Sequence, residues 1–234
     1  MSIDGLWVYP LKSGAGRALQ SATLDRLGVS GDRAFVLTDA DGRFLSARAD
    51  PRISQISFDG QHFSRHGQPS PPLAWAPGAG DVSIWARQQP GQCAADEVNA
   101  WFSETLGRTA LLWRLPAEAG LHFGDSNPVM VLYQATVDAI QLALGRPFGA
   151  EQLRPNILLS GGQAFAESEL GPLSFDGVTL EPVEPCTRCK MINLTPGAEA
   201  YPESLDVSRA LKSLDVDFVA GMHYRVLTPG TIRR

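Results

Sequence analysis

Arg33-Ala34-Phe35-Val36-Leu37-Thr38-Asp39-Ala40-Asp41-Gly42-Arg43-Phe44-Leu45-Ser46-Ala47 is two β-rich runs on either side of an acidic turn. Phe, Val and Thr favour a pleated, half-buried surface, and an Asp-Gly pair between such runs is a strong hairpin signal, because Gly accepts the positive φ that the turn needs. Text of the same kind extends on both sides. An apolar run over 6–9 is stopped by Pro10, a further strand is expected over 53–58, and Asp59-Gly60 makes the next turn. The Pro-, Gly- and Ser-rich stretch 64–80 is expected to be a surface loop. In the second half, strands are expected over 129–132, 156–160, 178–183 and 224–227.

Helical spacing occurs at few places. Val98, Trp101, Phe102, Thr105 and Leu106 fall on one helical face, with Asp96 as expected N-cap and Gly107 just past the end. Val137, Ile140 and Leu144 mark a second helix over 136–144, closed by Gly145, and a third is expected over 204–214. Strand-rich text broken by a few helices predicts an α+β fold with curled or barrel-like sheets. A seam near Leu115-Pro116 divides the chain into 1–115 and 116–234.

The bulk numbers bound the function. A chain of 234 residues, 44% hydrophobic and 19% charged, reads as soluble and globular, forming one large or two small domains. A net charge of −5 argues against non-specific nucleic-acid binding, which needs a basic footprint. No leader pattern opens the chain and no run of about 18 apolar residues occurs, so no membrane span is expected. Cys93, Cys186 and Cys189 are an odd number and too few to staple the fold, which favours a reducing, cytoplasmic location.

The most specific local feature is Pro185-Cys186-Thr187-Arg188-Cys189. Zinc needs about four ligands, and beyond the pair there remain Cys93 and the scattered His62, His66, His122 and His223. A redox dithiol usually opens a helix, whereas 190–194 reads as a strand. Two buried small hydrophobes are the ordinary alternative, although Arg188 beside a thiol suits a stabilised thiolate better than a core. Basic residues follow or precede strands at Lys12-Ser13, Arg33 and Arg154-Pro155-Asn156. Each alone is ordinarily a solvated charge, but together in one pocket they would grip an anion such as phosphate. Asp125-Ser126-Asn127-Pro128 is either a plain turn or a carboxylate placed to move a proton. No dinucleotide fingerprint, P-loop, zincin or nucleophile-elbow pattern is present.

Taken in order, Leu6-Trp7-Val8-Tyr9-Pro10-Leu11-Lys12-Ser13, Gly31-Asp32-Arg33, Ser46-Ala47-Arg48-Ala49-Asp50-Pro51-Arg52, Asp125-Ser126-Asn127-Pro128, Arg154-Pro155-Asn156-Ile157, Pro185-Cys186-Thr187-Arg188-Cys189 and Val226-Leu227-Thr228-Pro229-Gly230-Thr231-Ile232 resemble the MOSC family. The branch is the one with an N-terminal β-barrel domain, which includes the mitochondrial amidoxime-reducing component and bacterial relatives. The resemblance implies an N-terminal β-barrel-like domain and a C-terminal MOSC β-barrel with a few peripheral helices. It implies a molybdenum cofactor, molybdenum held by a pterin dithiolene with a phosphate-bearing arm, and Cys189 as the protein's ligand to the metal. Lys12, Ser13, Arg33 and Arg154 match positions that hold phosphate and pterin. Ser126, Asn127, Asn156, Thr187 and Arg188 match cofactor-contacting positions, and Asp125 matches a carboxylate close to the metal.

The implied activity is an oxidoreductase that reduces N-hydroxylated compounds, or related N–O or S–O groups. Its electrons come from a separate iron–sulfur, flavin or haem protein, since the chain shows no electron-transfer domain. The alternative is a carrier of the cofactor, or of a sulfur atom on Cys189, without turnover of its own. The chain stops at Arg233-Arg234, where relatives usually add a closing strand, so the far edge of the barrel is expected to differ. No N-terminal membrane anchor is seen, as suits a soluble bacterial-type protein.

Overall fold

A computed structural model describes residues 1–116, 122–204 and 206–234. The fold is strand-rich α+β with curled sheets, as the sequence predicts. Its largest sheet has seven strands in the order Leu173–Phe175, Val178–Thr187, Val219–Thr228, Val129–Tyr133, Ile157–Leu159, Ile3–Val8 and Arg17–Leu19. All neighbours run antiparallel except Val129–Tyr133 beside Ile157–Leu159. That parallel pair is joined through the helix Gln134–Leu144, as a parallel crossover requires.

Period-2 alternation explains the central strand. Every residue of Val129–Tyr133 is buried, because Val129, Val131 and Tyr133 enter one core while Met130 and Leu132 enter another. The first core also takes Leu6, Val8, Leu24, Tyr224 and Ile232, closing the large sheet against the three-stranded sheet Gly230–Arg233, Ser21–Asp25 and Gly28–Val29. The second core lies under the helices Gln134–Leu144 and Asp206–Ser213, through Val137, Ile140, Val207 and Leu211. A third core joins the helix Asp96–Leu106, by Val98, Phe102 and Leu106, to Leu37 and Leu112 of a four-stranded sheet. That sheet runs Phe35–Thr38, Leu111–Arg114, Arg87–Cys93 and Gly80–Ile84. Burying each such side chain is worth about 1.5–3 kcal/mol, so these helices are held by packing more than by intrinsic propensity.

Several local expectations are corrected. The strand expected over 53–58 is instead the 3-10 helix Pro51–Gln55 followed by the short strand Ser57–Phe58. Asp50 caps that turn, accepting from the Arg52 amide, and Pro51 presets its first φ. The decisive 33–47 stretch does turn back, with Leu45 N–H donating to the Leu37 carbonyl, but only Phe44 bridges Thr38 before Ser46 starts a new turn. The expected loop 64–80 holds most of a small meander, Ser57–Phe58, Phe63–Arg65 and Gln68–Pro69. Residues 190–194 are not a strand: Lys190–Asn193 is a 3-10 turn with Cys189 as its N-cap. The helix Asp96–Leu106 is preceded by Ala95 at the cap, so Asp96 acts as a first-turn acid rather than as the cap.

The third helix is Asp206–Ser213 within the expected 204–214, where residue 205 lies outside the described residues. At the far end of the chain, Gly230–Arg233 forms a strand antiparallel to Ser21–Asp25. Among the described residues, no helix is long and apolar enough to cross a membrane.

Candidate functional site

A cleft of about 440 Å³ opens where the large sheet meets the loops of the first half. Every site residue nominated from the sequence lines it: Lys12, Ser13, Arg33, Asp125, Ser126, Asn127, Arg154, Asn156, Thr187, Arg188 and Cys189. They arrive on different elements. Lys12 and Ser13 follow the strand Ile3–Val8, and Arg154 lies between the turn Ala150–Gln152 and the strand Ile157–Leu159. Thr187 ends the strand Val178–Thr187, and Cys189 caps the following turn.

The backbone around the cations is held in unusual conformations. Ser13, Arg33 and Arg154 all have left-handed backbone, φ 70°, 48° and 56°. Such conformations are uncommon for residues with a Cβ and persist where the surroundings enforce them, often at functional sites. The enforcement is visible. Arg33 N–H donates to the Tyr9 carbonyl at 2.9 Å, Lys12 N–H to the Phe35 carbonyl at 2.8 Å, and Tyr9 N–H to Asp32 Oδ1 at 2.7 Å. The guanidinium carbons of Arg33 and Arg154 lie 4.6 and 4.3 Å from the centre of the buried Tyr9 ring, so one aromatic side chain orders both charges.

The cations differ in what they have left to offer. Arg188 gives its guanidinium N–H groups to the Ala220 carbonyl and, at 2.8 Å, to the Leu153 carbonyl. It acts as a clamp between the cysteine loop and two other segments. Arg154 gives one N–H to the Gly14 carbonyl at 2.5 Å, and Arg33 pairs with Asp32. Each guanidinium carries five N–H donors, so donors remain on both for an anion in the cleft. Burial, with Arg33 nearby, pushes the Arg154 pKa down to about 10, which leaves it charged at neutral pH.

Lys12 is 5% exposed and its ammonium lies 2.7 Å from Asp125 Oδ1. Burial pushes its pKa down to about 8 despite that carboxylate. Asp125 feels burial upward, but Lys12, the Trp85 indole N–H and Arg48 outweigh it and hold the carboxyl below its usual range. Asn156 uses its amide structurally: Oδ1 accepts from Met130 N–H at 3.0 Å and Nδ2 donates to the Trp7 carbonyl at 3.3 Å. Ser126 Oγ is 3.3 Å from His223 Nε2, and Asn127 donates to Glu184 at 2.9 Å. Cys189 is half-buried and free, whereas Cys186 is buried in the core beneath the helices.

Further residues line the cleft without having been nominated. Arg48 lies in one of the family-like stretches, which was the available signal for it. Phe44 and Trp85 carry no sequence mark of a site, and His223 enters the sequence reading only among the scattered histidines too few to complete a zinc site. Burial, reinforced by Arg188 and Arg33, pushes His223 down to about 4, so its ring is neutral at pH 7. Its Nδ1 and the Nε of Arg48 are buried without a hydrogen-bond partner among the described residues. Nor do three His, Cys, Asp or Glu side chains converge as metal ligands among the described residues, so a metal at Cys189 would draw its other ligands from elsewhere.

Comparison with known proteins gives the same picture across the chain. A model of the MOSC N-terminal beta barrel domain matches residues 1–109, and a model of the MOSC domain matches 118–234. Mitochondrial amidoxime-reducing component 1 of Xenopus laevis is 24% identical, covering 99% of this chain and 79% of its own length. Mitochondrial amidoxime reducing component 2 of Homo sapiens is also 24% identical, covering 99% of this chain and 81% of its own. Among solved structures, the YUAD protein from Bacillus subtilis superposes over 99% of this chain and 90% of its own with a TM-score of 0.50 at 14% identity, a likeness of fold. With both domain models matched in sequence along one chain, and the fold shared end to end, this protein is a member of the MOSC family, in the branch that carries the N-terminal beta barrel domain.

Proposed function

We propose that this protein is a molybdenum-cofactor-dependent oxidoreductase that reduces N-hydroxylated compounds, or related N–O or S–O groups, with electrons from a separate partner protein. The observation that carries this is the convergence of Lys12, Arg33, Arg154 and Arg188 on one cleft with the free thiol of Cys189, in a chain whose net charge is −5. Both amidoxime-reducing relatives align along nearly its whole length.

The residues present fit the cofactor. An anionic arm needs fixed positive charge and unspent N–H donors, which Lys12, Arg33 and Arg154 offer around the left-handed turn at Ser13. A sulfur-bound metal suits a soft thiolate, which Cys189 offers at the mouth of a 3-10 turn. The orphaned Nδ1 of His223 and Nε of Arg48 are polar atoms in want of a partner. In this arrangement Cys189 holds the metal, Lys12, Ser13, Arg33 and Arg154 hold phosphate and pterin, and Ser126, Asn127, Asn156, Thr187 and Arg188 complete the wall. When bound, the cofactor supplies two-electron redox chemistry.

Reduction of an N–OH group to N–H and water consumes two protons as well as two electrons. Asp125, held below the usual carboxylate range, is ionised at neutral pH. It therefore acts first as an acceptor that orients a substrate N–H or O–H, and passes protons taken from water instead of storing one.

The test is to purify the protein from a host that makes the cofactor and to measure molybdenum and pterin per chain for wild type and Cys189→Ser. Reduction of an amidoxime with a chemical electron donor is then assayed. Near-stoichiometric loading, metal loss in the variant and turnover by the wild type support the proposal. Loading without turnover, or persulfide on Cys189, indicates a carrier instead, and neither metal nor pterin overturns both.

A further inference from the structure

The strands Gly80–Ile84 and Arg87–Cys93 form a hairpin whose register pairs Ile84 with Arg87, leaving Trp85-Ala86 as a two-residue tip. Tips of this kind favour Asn and Gly, because they demand positive φ. Trp85 nevertheless adopts φ 54° there and remains 52% exposed. A large aromatic in a strained backbone, left in solvent, contributes little to the core.

The tip is fastened to the cleft instead. Arg87 donates to the Gly124 carbonyl at 2.7 Å, and the Trp85 indole N–H donates to Asp125 Oδ1 at 2.7 Å. Phe44 meets the indole edge-on at 5.3 Å, and the Arg48 guanidinium lies 4.6 Å from its ring. Trp85, Phe44, Arg48 and Asp125 thus form one side of the cleft, where a half-exposed indole, met edge-on by Phe44 and over one part by Arg48, stands next to a carboxylate.

The geometry points to Trp85 as a specificity-determining residue: its indole recognises substrates that carry an aromatic or otherwise flat conjugated group beside the N–O head, and disfavours short alkyl ones. This rests on the cleft being a substrate site, as proposed above. Asp125 takes the polar head through Oδ2, since Oδ1 already accepts from Lys12 and Trp85 whereas Oδ2 has only the Arg48 guanidinium, 3.8 Å away. The flat body then covers the indole surface that solvent now occupies, and gains both buried area and ring contact.

The test separates this inference from the reductase proposal, because it reads binding. Cofactor-loaded wild type, Trp85→Phe and Trp85→Ala are titrated by calorimetry with benzamidoxime and with acetamidoxime, without any electron donor. Melting curves and metal content are taken alongside. The wild type is expected to prefer the aryl ligand about 10-fold or more, about the worth of one aromatic contact. Trp85→Phe keeps most of that ratio, and Trp85→Ala brings it to within about 2-fold. An unchanged ratio in Trp85→Ala, an equal loss for both ligands, or no binding of either ligand to wild type overturns the inference. A Trp85-dependent ratio in a protein that reduces neither compound when a donor is added leaves the inference standing and removes the reductase proposal.

Discussion

Lys12 shows what the site costs the fold. Its ammonium is buried, and its pKa of about 8 lies below the ordinary 10.5. Between those values the unfolded chain binds more protons than the folded one, so this residue makes stability rise as pH increases through the window. Below pH 8 the full penalty applies, about 3 kcal/mol at face value and less once the loss of its Asp125 partner is counted. Lys12→Met is therefore expected to raise the unfolding free energy of cofactor-free protein by about 1–3 kcal/mol at pH 7, with the gain shrinking toward pH 10. The same substitution should weaken retention of a phosphate-bearing ligand. Denaturant curves at both pH values, with pterin content, check this; a variant no more stable than wild type at pH 7 would contradict it. Asn156 presents the opposite case. Its amide satisfies the buried Met130 N–H, so Asn156→Ala should cost about 1–3 kcal/mol of stability even without cofactor, readable in the same denaturant curves.

At the scale of elements, the pairing of Val178–Thr187 with Val219–Thr228 aims the cysteine loop. The register shifts more than once along it, and Arg188 N–H then donates to the Phe218 carbonyl at 2.7 Å. Gly221 lies where that strand meets Val129–Tyr133, with φ 88°, and a Cβ there would stand 2.6 Å from Met130 Cε and 2.8 Å from the Val131 carbonyl oxygen, with Arg188 Nη2 at 3.1 Å. Gly221→Ala should cost about 2–4 kcal/mol from the combined clash and backbone strain. It should also lower metal loading more than an equally destabilising core change such as Ile140→Ala, because it displaces the Arg188 clamp. Equal loading at matched stability would refute the second half. Much of this was legible in the sequence, because the family motifs are local strings at strand ends. The 3-10 turn at Lys190–Asn193 was not: Met191-Ile192-Asn193-Leu194 has strand-like composition. What bends it is distant, with Gln152 donating to the Ile192 carbonyl and Asn193 to Ser208. Trp85 was equally hidden, since nothing in the largely polar text of this hairpin says that its tip reaches a loop 40 residues away.

At the scale of the whole molecule, the two ends of the chain are interleaved. Ile3–Val8 pairs with Ile157–Leu159, matching Ile3 to Leu159 and Leu6 to Ile157, and Gly230–Arg233 pairs with Ser21–Asp25. Leu6, Val8, Ala22, Leu24 and Val29 belong to the same core as Val129, Tyr224 and Ile232. Removing them from that core forfeits apolar burial on the order of 10 kcal/mol, comparable with the entire stability of a domain this size. It also leaves the Ile157–Leu159 edge unpaired, an invitation to aggregate. A fragment of residues 118–234, although it spans the whole match to the MOSC domain, is thus expected to be insoluble or molten when expressed alone. Co-expression with residues 1–116 should restore a soluble complex, because the pairing needs the N-terminal strands and not their covalent linkage. Amide spectra settle the matter: well-dispersed resonances from 118–234 by itself would show that the first strands merely decorate a sheet able to close without them.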